Sequence, residues 1–140
     1  MKNNIILLVE DDYLDIESVK RAFKKIDVVH TLHIAHNGVD ALNMLTETLP
    51  DGSRFVPDVI LLDINMPKMS GIEFLGIIKN YSSLKNIKIF IITTSSEEYD
   101  KAATQNLGIT GYILKPLNFK EKASADTLKL LSELLSADEQ

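Results

Sequence analysis

Five short stretches of this chain are rich in apolar or β-branched residues, and each is followed by a segment with a different period. Three are continuous apolar runs: Ile5–Val9, Val59–Leu62 and Ile87–Ile92, the last interrupted by one lysine. Continuous runs of this length suit strands covered on both faces, as in parallel sheets. Val28–Ala35 is more mixed, with Leu32 and Ile34 separated by His33, which suits a strand at or near a sheet edge. Thr110–Leu114 is the fifth. Between them the apolar residues recur at spacings of three and four. Ile16, Val19, Phe23 and Ile26 form one stripe, Val39, Leu42 and Leu45 a second, and Ile72, Leu75 and Ile78 a third. Such spacing predicts amphipathic helices. Ser70 with Glu73, and Ser95 with Glu98, have the spacing of a capping box, and Asn118 with Glu121 is a looser version. The last helix, opened by Asn118, carries Leu128, Leu130, Leu131, Leu134 and Leu135. That stripe is wider than one sheet contact needs.

Strand followed by helix, five times over, predicts an α/β fold: a doubly wound five-stranded parallel sheet with five helices on its two faces. The expected strand order is 2-1-3-4-5, with ligands bound at the carboxyl ends of the strands beside the switch point between strands 1 and 3. The chemistry-bearing residues fall there. Glu10, Asp11 and Asp12 follow strand 1, Asp63 follows strand 3, Thr93, Thr94 and Ser95 follow strand 4, and Lys115 and Pro116 follow strand 5. Three adjacent carboxylates after a buried strand repel one another and need a counter-charge. A hard divalent cation with oxygen ligands, Mg²⁺ above all, would supply it. A carboxylate beside such a metal can act as a nucleophile toward a phosphoryl group. The metal, the hydroxyls and the lysine would then balance the charge on the phosphoryl oxygens.

Composition narrows the classes. The chain has 140 residues, 45% of them apolar, so one domain with a full core is expected. The net charge of −5 argues against nucleic acid as the main partner. There is no cysteine, hence no disulfide or thiolate chemistry. The apolar run near the N-terminus is too short for a signal peptide or a membrane span, so a cytoplasmic protein is expected.

The motifs LLVEDD, LLDINMPKMSG, IIT and GYILKP, in this order and spacing, resemble the receiver domain of two-component response regulators. The resemblance covers roughly residues 3–136 and implies a flavodoxin-like fold. It implies a single receiver domain over 1–140 without an output domain, and an activity as phosphoacceptor rather than enzyme. By that resemblance Asp63 is the phosphoacceptor. Glu10 and Asp11 hold Mg²⁺ with Asp63, and the backbone carbonyl of Asn65 supplies a further ligand. Thr93 is the hydroxyl that bonds the phosphoryl group, the Thr94 amide contacts it, and Lys115 pairs with it. Tyr112 occupies an aromatic switch position, and Pro116 marks a cis peptide. Asp12, one past the acidic pair, is expected to cap the first helix. The implied partners are a sensor histidine kinase or phosphotransfer protein and an unknown downstream protein. The face of helix 4, strand 5 and helix 5 is the implied output surface, open also to a second copy of the chain.

Other chemistries share parts of this pattern. A haloacid-dehalogenase-type phosphatase also uses a strand-end aspartate with Mg²⁺, but needs a second aspartate two residues on, where Asn65 stands. A flavodoxin-like cofactor module needs a hydroxyl- or glycine-rich phosphate loop after strand 1, where this chain has carboxylates. His30, His33 and His36 invite a metal, yet on a strand the middle one points away from the other two. Thr46 to Pro57, with two prolines and Asp-Gly, predicts a long irregular connection. It reads first as a tolerated surface insertion. It also resembles loops of receivers paired with phytochrome-like sensor kinases.

Overall fold

The computed structural model describes residues 3–26, 30–64, 66, 68–93, 108–115, 129, 131–133 and 135. Five strands form one sheet: β1 (Asn4–Val9), β2 (His30–Ala35), β3 (Val59–Asp63), β4 (Lys88–Thr93) and β5 (Gly111–Leu114). All pairings are parallel and the order is β2-β1-β3-β4-β5, as expected. Three helices have defined bounds: α1 (Tyr13–Lys24), α2 (Gly38–Thr46) and α3 (Gly71–Ile78). The expected fourth helix lies outside the described residues. Of the fifth, Lys129, Leu131, Ser132, Glu133 and Leu135 are described and are helical.

The continuous apolar runs are explained by two cores, one on each face of the sheet. Ile6, Leu8, Val59, Leu61, Phe90, Ile92 and Ile113 point to the face covered by α1 and by Leu131 and Leu135. Leu7, Val9, Ile60, Leu62, Ile89 and Ile91 alternate with them and meet α2 and α3 on the other. Side chains of a strand alternate between faces, so a strand covered twice has no polar position to offer. Each fully buried Leu or Ile contributes roughly 1.5–3 kcal/mol.

Two stripes differ from expectation. On α2 the buried residues are Gly38, Ala41 and Leu45, while Val39 is exposed. The periodicity argument weighted large apolar side chains. The helix instead approaches through small ones, and Met69 packs where a Gly38 side chain would stand. On α3 Phe74 is fully buried and Ile72 only partly. The caps expected at Asp12 and Ser70 form, and those at Ser95 and Asn118 lie outside the described residues. Asp12 accepts from the Leu14 and Asp15 amides, and Ser70 and Glu73 form a complete capping box.

The Thr46–Pro57 connection is more ordered than its composition suggested. Thr48 and Arg54 form an antiparallel bridge, closed by a turn at Gly52, whose φ of 87° suits glycine. Its Phe55 packs edge-on against His33 of β2 at 4.9 Å, while His30 packs against Phe23 at 5.4 Å. Two of the three histidines are thus held by ring contacts, and none joins a metal-binding group among the described residues. No helix among the described residues is long and apolar enough to cross a membrane.

Candidate functional site

The sheet brings the predicted residues together at its carboxyl edge. Asp63 is the last residue of β3, paired with Ile92, and Thr93 is the last of β4, paired with Leu114. Both were expected one step past their strands; the sheet ladder itself fixes them. The Lys115 amide donates to the Thr93 carbonyl at 2.8 Å, which extends the β4–β5 ladder and aims the lysine across the strand ends. Glu10 continues β1 in the same way, its amide donating to Ala35 O at 3.0 Å.

Glu10 is fully buried, Asp63 and Thr93 nearly so, and Asp11 is exposed. One carboxylate oxygen from each of Glu10, Asp11 and Asp63 lies within 4.8 Å of the others. The Lys115 ammonium stands over them, 2.8 Å from Glu10 Oε1, 2.8 Å from Asp15 Oδ2 and 3.7 Å from Asp63 Oδ2. Burial, and then the hydrogen bond it shares with Asp63, push the Glu10 carboxyl up to about 8, against the pull of Lys115. Burial works to lower the Lys115 ammonium, but its bonds to Asp15 and Glu10 outweigh this and raise it well above the ordinary lysine range.

Such a cluster fits a divalent cation. Three hard carboxylate oxygens converge, and the one from Glu10 is fully buried, where a carboxylate needs positive charge beside it. The expected ligand carbonyl of Asn65, the Thr94 amide and the Pro116 peptide lie outside the described residues. Tyr112 is half-buried on β5 against the core that α2 and α3 cover.

Two further residues belong to the site. Asp15, in the first turn of α1, bonds Lys115 across 100 positions of sequence. Its place near the acidic run is visible in the sequence, but its pairing with Lys115 is not. Gly71 opens α3 directly over the carboxyl end of β3. Its amide donates to Ile64 O at 2.8 Å, and a Cβ there would lie 2.7 Å from Asp63 O and from Ile64 Cα.

Metal affinity should depend on pH through Glu10, because a proton must leave before a cation can bind. Mn²⁺ or Mg²⁺ affinity is expected to rise about tenfold per pH unit from pH 6 and to level off above about 8, with close to one proton released per ion at pH 7. Calorimetry in buffers of different ionisation enthalpy measures that proton. The metal-free fold carries the opposite signature. Glu10 holds a proton in the folded chain that the unfolded chain releases near 4.5, so its contribution to stability is lost as pH rises from there toward about 8. Melting in a chelator at pH 6 and pH 8 checks the sign.

Comparison with known proteins follows the same lines. The family model described as the response regulator receiver domain matches residues 6–125. Response regulator Rcp1 of Synechocystis sp. is 36% identical over 117 residues, 84% of this chain and 80% of that protein. The Mn²⁺-bound form of Rcp1 has a similar structure, with TM-score 0.71 at 34% identity, covering 95% of this chain and 92% of that one. So does the phosphorylated cyanobacterial phytochrome response regulator RcpA, with TM-score 0.78 at 30% identity, covering 99% and 98%.

Proposed function

This chain belongs to the response regulator receiver domain family, and from that membership we propose that Asp63 is the residue that accepts its phosphoryl group. The observation that carries the reading is the convergence of Glu10, Asp11 and Asp63 under the Lys115 ammonium at the carboxyl ends of β1, β3 and β5. Mg²⁺ is the cofactor that suits these oxygens, and it would be held by Glu10, Asp11, Asp63 and the Asn65 carbonyl. When bound, it would supply positive charge that offsets the negative charge of the acceptor and of the transferring phosphoryl group.

In the reaction an Asp63 oxygen attacks the phosphorus of a phosphohistidine on a sensor kinase or phosphotransfer protein. The N–P bond breaks, its electron pair returns to the histidine nitrogen, and an acyl phosphate forms on Asp63. Lys115 pairs with one phosphoryl oxygen, and the Thr93 hydroxyl and the Thr94 amide meet the others. Water attacking the same phosphorus reverses the modification. The side of the site where Tyr13 and Leu14 stand 71% and 74% exposed leaves access for the donor protein.

The phosphorylated state differs from the free one by a dianion where a carboxylate stood, and Thr93, Lys115 and Tyr112 are placed to respond. Thr93 moving to the phosphoryl group and Tyr112 turning inward would change the surface around β5 and the neighbouring helices. That surface then engages a downstream protein or a second copy of the chain. RcpA is described as a phytochrome response regulator, and a phytochrome-type sensor kinase is the donor we propose here too.

Acetyl phosphate tests the reading without the unknown donor. In millimolar Mg²⁺ the protein is expected to take up one phosphoryl group per chain, seen by intact mass, and to take up none once the metal is chelated. Uptake that persists undiminished in chelator would refute the metal-assisted mechanism.

A further inference from the structure

Lys115 faces three carboxylates, and it is not shared equally among them. Its ammonium lies 2.8 Å from Glu10 and 2.8 Å from Asp15, but 3.7 Å from Asp63. The contact with Asp63 is thus beyond hydrogen-bond length, although Asp63 is far more buried than Asp15, which the ammonium does bond. Asp15 is what differs from an ordinary lysine–acceptor pair. It comes from α1 rather than from the sheet: the Asp12 cap holds its backbone amide, and its carboxylate accepts from Lys115 at 2.8 Å. Asp15 stands at the amino-terminal turn of α1, where the helix dipole favours a carboxylate.

We infer that Asp15 is a positioning residue: it anchors the Lys115 ammonium away from Asp63, and so keeps the acceptor carboxylate open to the metal. The argument is one of competition. An ammonium and a divalent cation seek the same oxygens of Glu10 and Asp63, and a lysine collapsed onto Asp63 would have to be displaced for the metal to bind. With Asp15 in place, the lysine already sits to one side. The same anchor leaves Lys115 within a short swing of a phosphoryl group arriving on Asp63. The inference rests on the metal and acceptor roles proposed for Asp63.

The test is a double-mutant cycle read as Mn²⁺ affinity by calorimetry at pH 8, in wild type, Asp15→Asn, Lys115→Ala and the double variant. If Asp15 acts by holding the lysine, Asp15→Asn lets the ammonium move onto Asp63 and affinity falls about five-fold, a coupling usual for charges in contact. With Lys115→Ala there is no ammonium to hold, and adding Asp15→Asn should change affinity by less than about two-fold. An equal loss in both backgrounds would mean that Asp15 acts only through its charge at a distance. No loss in either would mean that it does nothing for the metal. Either result overturns the inference while leaving the metal site intact. Failure of the wild-type protein to bind Mn²⁺ would instead bring down both the site and the anchor. A purely structural part for Asp15 would lower the melting temperature without this dependence on Lys115.

Discussion

Asp63→Asn is expected to abolish phosphorylation, lowering uptake from acetyl phosphate by at least about 10³-fold. The amide cannot serve as the anionic nucleophile, and its neutral oxygen is a far weaker metal ligand. What makes the variant informative is its stability. Asp63 is almost fully buried beside Glu10, and its hydrogen bond and charge both raise the Glu10 carboxyl. Removing one of two adjacent buried carboxylates relieves that repulsion. The metal-free variant should therefore melt at or above the wild-type temperature at pH 8, while the stabilisation that Mg²⁺ gives the wild type by binding only the folded state shrinks. Loss of uptake together with a lower melting temperature would point to misfolding rather than to missing chemistry.

The second large effect concerns two glycines of one helix, with opposite signs. Gly71→Ala places a methyl group 2.7 Å from Asp63 O and Ile64 Cα, backbone atoms that cannot swing away. Either α3 or the strand end has to move, at a cost of about 1–3 kcal/mol. The displacement falls on Asp63, the proposed acceptor, so phosphorylation from acetyl phosphate should slow as well. Gly76 lies five residues on in the same helix with nothing within 4 Å of a Cβ. There alanine removes only backbone freedom from the unfolded chain, and Gly76→Ala should stabilise by about 0.5–1 kcal/mol. Urea denaturation of the two variants measures both. If Gly71→Ala were as stable as wild type, the close approach of α3 to the acceptor strand would be wrong.

The sheet was legible because its central strands are unbroken apolar runs. β1, β3 and β4 bury residues on both faces, and only a doubly covered parallel sheet asks for that. The mixed run ending at Ala35 was read as an edge, and β2 is one. The site was legible for a related reason. Carboxylates directly after a buried strand need a counter-charge, and the expected strand order already placed Glu10, Asp11 and Asp63 at one edge of the sheet. What escaped were features with weak one-dimensional signals. Gly38 and Ala41 face the core because the helix comes close, and periodicity in large side chains does not see small ones. Gly71 stood inside a recognised motif, yet its closeness to Asp63 exists only once α3 folds back over β3. Asp15 pairs with a residue 100 positions away, and no local pattern marks such a pair. The Thr46–Pro57 loop was read as irregular from its prolines and glycine. Its Asp51 side chain accepts from both the amide and the hydroxyl of Ser53, and Phe55 packs on His33, so it is held in place.

On the proposed reading the phosphoryl group resides on Asp63 and gets there with the help of a divalent cation. The most direct measurement is to phosphorylate the wild-type protein with acetyl phosphate and Mg²⁺, trap the acyl phosphate by borohydride reduction, and locate the reduced residue by peptide mass. The account predicts a single reduced position, Asp63, absent when the metal is chelated. Reduction at Asp11, Asp15 or any other carboxylate with Asp63 intact would contradict it.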